Sequence, residues 1–278
     1  MNQEFSLLKV GHCCHPEAMV MRGHRWKSMD FPAIVGLIKH PAKGYILFDT
    51  GYAKRFLKET EKFPERFYRM LTPMHLCDKE QLIKQLNERN IAADDINSIF
   101  ISHFHADHIA GLLDFPKAEY ICSYEGYSAF EQRSRISGLI KGYLKKLLPQ
   151  DFLSRVTFIE DKVSIKLDKS YRPFDMAYDV LGDGALLAID MPGHAHGHFG
   201  LLYHQGESVN FLVGDACWTQ EAYTQGLRPN LMAHIIMSNA TDYYATLDNL
   251  SRLYGANKEL LIIPSHCQKT YEKWCHGS

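Results

Sequence analysis

The sequence is short of three things, and each shortage excludes a class of protein. Charge of one sign is missing: 31 Lys and Arg stand against 32 Asp and Glu, a formal net charge of −1. No long-range field therefore favours nucleic acid or an anionic membrane as a partner. Long apolar runs are missing too. Nothing approaches the roughly 18 consecutive apolar residues of a membrane-spanning helix, and Met1-Asn2-Gln3-Glu4-Phe5 lacks the basic-then-apolar layout of a secretory signal. Finally, cysteine pairs are missing: the seven cysteines are an odd count at irregular positions, and Cys13-Cys14 has no second pair at zinc-ribbon spacing. These features predict reduced thiols, mostly buried as small apolar residues, in a soluble cytoplasmic protein. There is no internal repeat, low-complexity tract or linker-like boundary.

What is present is a chain of 278 residues, 46% hydrophobic, able to bury a large core as one domain over 1–278. Strand-like apolar segments run from Phe5 to Val10, Ala33 to Lys39, Tyr45 to Phe48, Ile99 to Ile101 and Glu119 to Ser123. A second group runs from Val156 to Ile159, Ser164 to Leu167, Phe174 to Leu181, Ala185 to Asp190, Phe199 to Tyr203 and Val209 to Val213. Pro41-Ala42-Lys43-Gly44, Gly182-Asp183-Gly184 and Gln205-Gly206-Glu207-Ser208 read as turns. Cys13 to Phe31 has no clear period and reads as a loop, while Ala53 to Met70 and Lys79 to Asn90 read as outer helices. From Tyr124 to Leu148, apolar residues at Ile136, Leu139, Ile140, Tyr143, Leu144 and Leu147 keep helical spacing until Pro149. This is a helical insertion at about 124–149, lying on the core or forming a lid. Two strand-rich halves, each with helices, predict an α/β fold of two sheets packed face to face with helices outside.

Histidine is abundant, at 15 residues, and one stretch concentrates it: Ile101-Ser102-His103-Phe104-His105-Ala106-Asp107-His108-Ile109-Ala110-Gly111. Alternation in extended backbone lets His103, His105 and Asp107 converge at a strand end, with His108 arriving from the turn that follows. Imidazole and carboxylate donors suit zinc, and iron or manganese less selectively. Three further segments share this grammar of an apolar strand ending in a ligand. Leu186 to Met191 leads to His194, Asn210 to Val213 to Asp215, and Leu260 to Pro264 to His266. Asp49-Thr50-Gly51 ends the strand at Tyr45 to Phe48. Asp49 there either orients a ligand histidine by hydrogen bonding or serves a turn.

His-x-His-x-Asp-His at 103–108, Gly-His at 193–194, Gly-Asp at 214–215, Ser-His at 265–266 and Asp49-Thr50-Gly51 together resemble the metallo-beta-lactamase superfamily. The resemblance spans nearly the whole chain. It implies a four-layer αββα sandwich with a dinuclear metal site at the sheet edge. His103, His105 and His194 would hold one cation, Asp107, His108 and His266 the other, and Asp215 would bridge. Within the superfamily the layout is similar to the N-acyl homoserine lactonase group, through the long amino-terminal segment before Pro32-Ala33-Ile34-Val35 and through Gly214-Asp215-Ala216. One departure concerns substrate binding: the tyrosine those lactonases carry three residues after the bridging aspartate is Trp218 here, and Tyr223 on the same loop is the alternative.

The resemblance implies a metal-dependent hydrolase in which a hydroxide bridging two divalent cations, zinc first, attacks a lactone or ester of a small molecule. Asp107 would act as the proton shuttle. A phosphodiesterase, a thioester hydrolase of glyoxalase II type and a mononuclear iron sulfur dioxygenase are the alternatives on related scaffolds. The last would leave His108 and His266 unused. Apolar surface near Phe63 to Tyr68 or Ile136 to Leu148 is compatible with a homodimer.

Overall fold

In the computed structural model, which describes residues 4–205 and 208–277, the strands sort into two sheets by sequence half. The first holds β1 (Phe5–Pro16), β2 (Ser28–His40), β3 (Gly44–Phe48), β4 (Met74–His75), β5 (Ile96–Phe100), β6 (Glu119–Cys122) and β7 (Val156–Phe158), in the order β4-β1-β2-β3-β5-β6-β7. Its β4-β1-β2-β3 side is antiparallel and its β3-β5-β6-β7 side parallel. The second holds β8 (Val163–Lys166), β9 (Met176–Asp179), β10 (Leu186–Asp190), β11 (Phe199–Gln205), β12 (Ser208–Gly214) and β13 (Leu261–Pro264), in the order β13-β12-β11-β10-β9-β8. Only the β12–β13 pair is parallel among its described strands.

Three apolar layers make this the expected four-layer α/β sandwich. Phe5, Leu7, Ile34, Ile38 and Phe48 of the first sheet meet Leu186, Ala188, Leu201, Leu212 and Ile263 of the second. The outer face of the first sheet takes Phe56, Leu82, Leu86 and Phe130 from helices, and that of the second takes Ala222, Leu247, Leu250 and Leu253. A strand covered on both faces must be apolar throughout rather than alternating, and β2 is buried without a break from Phe31 to Ile38. The sheets approach closely at Gly36, where an added Cβ would lie 2.7 Å from Leu212 Cδ2.

Several expectations are corrected. The segment from Cys13 to Phe31 is largely strand: β1 and β2 pair in register from His12↔Pro32 to Pro16↔Ser28, joined by a short helix at Glu17–Val20. Its half-exposed His and Cys residues hid the period. Ala53 to Met70 is split into helices Lys54–Glu59 and Arg66–Leu71, with Pro64 between them. Residues 124–148 form two helices, Tyr124–Gln132 and Arg135–Ile140, and a 3-10 turn at Lys145–Leu147. Ser134 breaks the run by capping the second helix through the Ser137 amide. Helices Ala240–Ala256 and Gln268–Gly277 were not foreseen. Of the turn expected at 205–208, residues 206 and 207 lie outside the described residues. Among the described residues no helix is long and apolar enough to cross a membrane. All seven cysteines are free; Cys13, Cys122, Cys217 and Cys267 are buried, whereas Cys77 and Cys275 are exposed.

Candidate metal centre

Strand ends of both sheets meet along one edge and deliver His103, His105, Asp107, His108, His194, Asp215 and His266 to a single buried cluster. Donor atoms of His103, His105, His194 and Asp215 lie within 4.8 Å of one another, and so do those of Asp107, His108 and His266. The carboxylate of Asp215 joins the two groups. Its Oδ2 is 3.1 Å from His194 Nε2, and its Oδ1 is 3.1 Å from His266 Nε2 and 3.4 Å from His108 Nε2. Asp107 Oδ2 is 3.4 Å from His266 Nε2 and 3.9 Å from His108 Nε2. Nδ1 of His105 is 3.0 Å from Nε2 of His194.

Local sequence explains how each group is aimed. Asp49 sits at φ 62°, a left-handed position that aspartate tolerates better than most residues. From there its Oδ1 accepts from the Ser102 amide (2.8 Å), and its Oδ2 accepts from the Ser102 hydroxyl (2.7 Å) and from Nδ1–H of His108 (2.7 Å). Ser102 has thus spent its proton, so its oxygen accepts from Nδ1–H of His103 at 3.0 Å. His103 is left with its Nε2 lone pair facing inward, and His108, in its neutral form, likewise. Thr50 completes the grip by donating to the carbonyl of His108 (2.8 Å) and accepting from the Gly111 amide (3.0 Å). A Cβ on Gly111 would come within 2.9 Å of Thr50 Cβ, so glycine is required at that approach. His266 is set by donation from Nδ1 to the carbonyl of Pro32 at 2.7 Å. Gly193, at φ 119°, lets helix Ala240–Ala256 come so close that a Cβ would lie 2.0 Å from the Tyr243 amide nitrogen.

Two groups touching the cluster were not singled out in the sequence. His198 is fully buried; its Nδ1–H donates to the carbonyl of Met191 (2.9 Å), and its Nε2 accepts the amide of Asp215 (3.2 Å). The signal was the alternation His194-Ala195-His196-Gly197-His198, of which only the first was taken. Gly142 is the other: its carbonyl accepts from the Ala106 amide (3.0 Å), and its α-carbon approaches so closely that an added Cβ would be 3.2 Å from the His105 ring. Gly142 and Tyr143 therefore wall the cluster beside His105. Trp218 also adjoins it, donating Nε1–H to Asp215 Oδ2 (3.0 Å) and standing edge-on to His194. Tyr223 is not brought to the cluster. Its hydroxyl donates to the carbonyl of Ile262 (3.3 Å) and its ring packs on Tyr254, inside the layer between the second sheet and its helices.

The electrostatics divide the cluster. Burial, reinforced by His108, pushes His103 well below the usual imidazole value, and burial with His194 does the same to His105. For His108, burial opposes the charge but Asp49, Asp215 and Asp107 outweigh it, so its pKa lies well above the usual value. His266 is raised in the same way, Asp215 and Asp107 overcoming burial. Burial also works against the Asp215 carboxylate, yet His266, His108 and His194 hold it well below the usual carboxylate range.

Whether a cation fits can be judged from the atoms left over. Nε2 of His103, Nε2 of His108 and Oδ1 of Asp215 are buried without a hydrogen-bond partner, the last two being 3.4 Å apart but out of line. An unpaired buried polar atom costs about 1–3 kcal/mol. Lone pairs converging without donors to meet them suit a ligand that accepts electrons, and neutral imidazole with carboxylate is a donor set for divalent metals.

Comparison with known proteins agrees with this geometry. Residues 30–266 match the Metallo-beta-lactamase superfamily. The chain is 27% identical over 258 residues to the N-acyl homoserine lactonase AttM of Agrobacterium fabrum, covering 91% of this chain and 88% of that protein. It is 21% identical over 281 residues to the N-acyl homoserine lactonase AiiB of Rhizobium rhizogenes, covering 98% and 96%. Among solved structures, an N-acyl homoserine lactone hydrolase with the product N-hexanoyl-L-homoserine at its catalytic metal center superposes with a TM-score of 0.73 at 19% identity, over 97% of this chain and 95% of that one. AidC, a dizinc quorum-quenching lactonase, superposes with a TM-score of 0.65 at 16% identity, over 95% and 87%.

Proposed function

Because the chain belongs to the metallo-beta-lactamase superfamily, we propose that it is a metal-dependent hydrolase that opens the lactone ring, or cleaves the ester, of a small molecule. The observation that carries this reading is the division of Asp215, one carboxylate oxygen facing His194 and the other facing His108 and His266. A site for a single ion has no use for the second oxygen or for His266, which counts against mononuclear iron chemistry. His103, His105 and His194 would hold one divalent cation, Asp107, His108 and His266 the other, with Asp215 between them; zinc suits the donors best. Relatives named as N-acyl homoserine lactonases, covering most of both chains, favour the lactone over phosphodiester and thioester substrates.

When bound, the cations supply Lewis acidity, which brings the pKa of water down from about 15.7 towards neutrality and polarises a carbonyl. The chain's own side chains do the rest. Asp107 is the most exposed of the seven, at 13% of its side chain against 1–7% for His108, His194, Asp215 and His266. It can therefore reach the solvent side of the cluster, accept the proton of the attacking water and pass it to the leaving alkoxide. Asp49, Ser102 and the Pro32 carbonyl keep the imidazoles in one tautomer throughout. Trp218 and Tyr143 form walls beside His194 and His105 and exclude water from them. The seven free thiols fit a reducing, cytoplasmic setting.

Metal analysis of purified protein together with turnover of a panel of N-acyl homoserine lactones, simple lactones, aryl esters, phosphodiesters and thioesters tests the proposal. Two zinc equivalents with preferential lactone opening is the expected result. Two equivalents with no action on lactones or esters overturns the carbonyl assignment, and one iron per chain overturns the dinuclear one.

A further inference from the structure

A second group of metal-ligating side chains lies outside the cluster, on the β4-β1-β2 edge of the first sheet. His12 and Cys14 are two residues apart on β1, so they project from the same face. Cys14 is paired in register with Asp30 of β2 and His12 with His75 of β4, which brings four donor residues from three neighbouring strands together. The geometry is tight. Cys14 Sγ is 3.3 Å from Asp30 Oδ1, His12 Nε2 is 3.8 Å from Asp30 Oδ2, and the donor atoms of His12, Cys14 and Asp30 all lie within 4.8 Å of one another. With bonds of roughly 2.0–2.3 Å, neighbouring ligands on a tetrahedral zinc are about 3.3–3.8 Å apart, which the Cys14–Asp30 and His12–Asp30 separations match. The His75 ring lies parallel to that of His12 with centroids 5.2 Å apart. His12 Nδ1 is buried with no hydrogen-bond partner.

We propose that His12, Cys14 and Asp30 form a third cation site, independent of the dinuclear centre, that takes zinc or another thiophilic divalent ion, with His75 or water completing the shell. The imidazole, thiolate and carboxylate set is softer than the all-nitrogen-and-oxygen cluster, so cadmium should favour it over the main site. Binding is a ligand exchange with proton release: the Cys14 thiol, which burial and then Asp30 hold up at about 11, loses its proton to solvent as its sulfur bonds the ion. The site would also clasp β1 to β2 close to Pro32, whose carbonyl holds His266. This inference does not rest on the lactonase reading and survives its failure.

The test uses the holoenzyme already carrying its tightly bound metal. On titration with cadmium, the wild type is expected to take up one further equivalent with a thiolate-to-cadmium charge-transfer band in the ultraviolet. Cys14→Ser is expected to lose both the band and the equivalent, and Asp30→Asn to weaken binding about tenfold or more while keeping the band at saturation. Each variant should keep its lactone turnover and its original metal content, since neither residue touches the main cluster. A band unchanged in Cys14→Ser would assign it to the exposed Cys77 or Cys275 and overturn the proposal. Absence of an extra equivalent in the wild type would overturn it as well.

Discussion

The two halves of the metal centre are built from similar residue types yet hold protons with very different strength. His103 and His105 are surrounded chiefly by other imidazoles and apolar walls, and they are held neutral. His108 and His266 face Asp107 and Asp215, with Asp49 behind His108, and their pKa values are raised. The difference teaches that similar ligand lists do not make similar sites. A cation entering the first half meets the lone pairs of His103 and His105, whereas one entering the second competes with protons that three carboxylates favour there. The buried carboxylates thus favour positive charge on the imidazoles beside them, a role that two cations would take over.

The largest effect should come from the residue that belongs to both halves. Asp215→Asn keeps the shape but removes the charge that faces His194, His108 and His266 together, and several kcal/mol of transition-state stabilisation correspond to roughly a thousandfold in rate. Lactone turnover should fall by about that factor and metal content should drop below two per chain by elemental analysis. A variant retaining both ions and near-normal turnover would contradict the bridging role. Asp49→Asn should act on one half only. It loosens the His108 tautomer and removes a carboxylate from its surroundings, so the affinity of the second ion should weaken about 10–100-fold while that of the first is unchanged. Competition with a chelator resolves the two affinities.

The charge contrast also sets a pH dependence, and its sign follows from the raised values. Both His108 and His266 hold a proton more tightly than an ordinary imidazole, so a binding ion competes with protons there. Affinity at the second half should therefore rise with pH until the raised pKa values are passed, while His103 and His105, held well below the usual value, add no such dependence to the first half between pH 6 and 8. The same two imidazolium pairs stabilise the metal-free fold fully below the unfolded histidine value of about 6.5. That contribution disappears as pH rises through the raised folded values. Calorimetric titration with zinc in buffers of differing ionisation enthalpy measures the protons released. Equal, pH-independent release from both halves would remove the contrast.

How much of this could be read from residues alone depended on whether the signal was local. The strand ends carrying His103, Asp215 and His266 were legible because an apolar run stopping at a ligand is a short-range pattern, and β5 and β12 do stop there. Asp49 was legible as a strand-end residue able to accept from a ligand histidine, which is His108, but its two bonds to Ser102 were not, since that residue lies 53 positions away. β1 past Val10 and the start of β2 were hidden because His12, Cys14 and Asp30 break the apolar alternation. The same residues form the second ligand cluster. Helix Tyr124–Leu148 was overextended because helical spacing survives Ser134 and Gly142, which interrupt the backbone without disturbing the apolar count. Tyr223 was drawn toward the site by sequence proximity to Asp215, whereas the helix at Gln220–Gln225 turns its hydroxyl to β13.

The smallest effect concerns Trp218, where the tyrosine of similar lactonases is replaced. Its indole N–H points at the Asp215 oxygen on the side of the first half, so it bears on one half and not on the other. A hydrogen bond to a charged group contributes about 1.5–3 kcal/mol, but this carboxylate oxygen would also face a cation, so only part of that can depend on tryptophan. Trp218→Phe keeps a ring beside His194 and should slow turnover by no more than about tenfold, with both ions retained and with kcat changed more than KM. Trp218→Tyr should recover more activity on lactones than Trp218→Phe if a donor at this position assists the carbonyl. Equal rates for the two variants would mean that the position acts only as a wall, and that the indole N–H serves the carboxylate rather than the substrate.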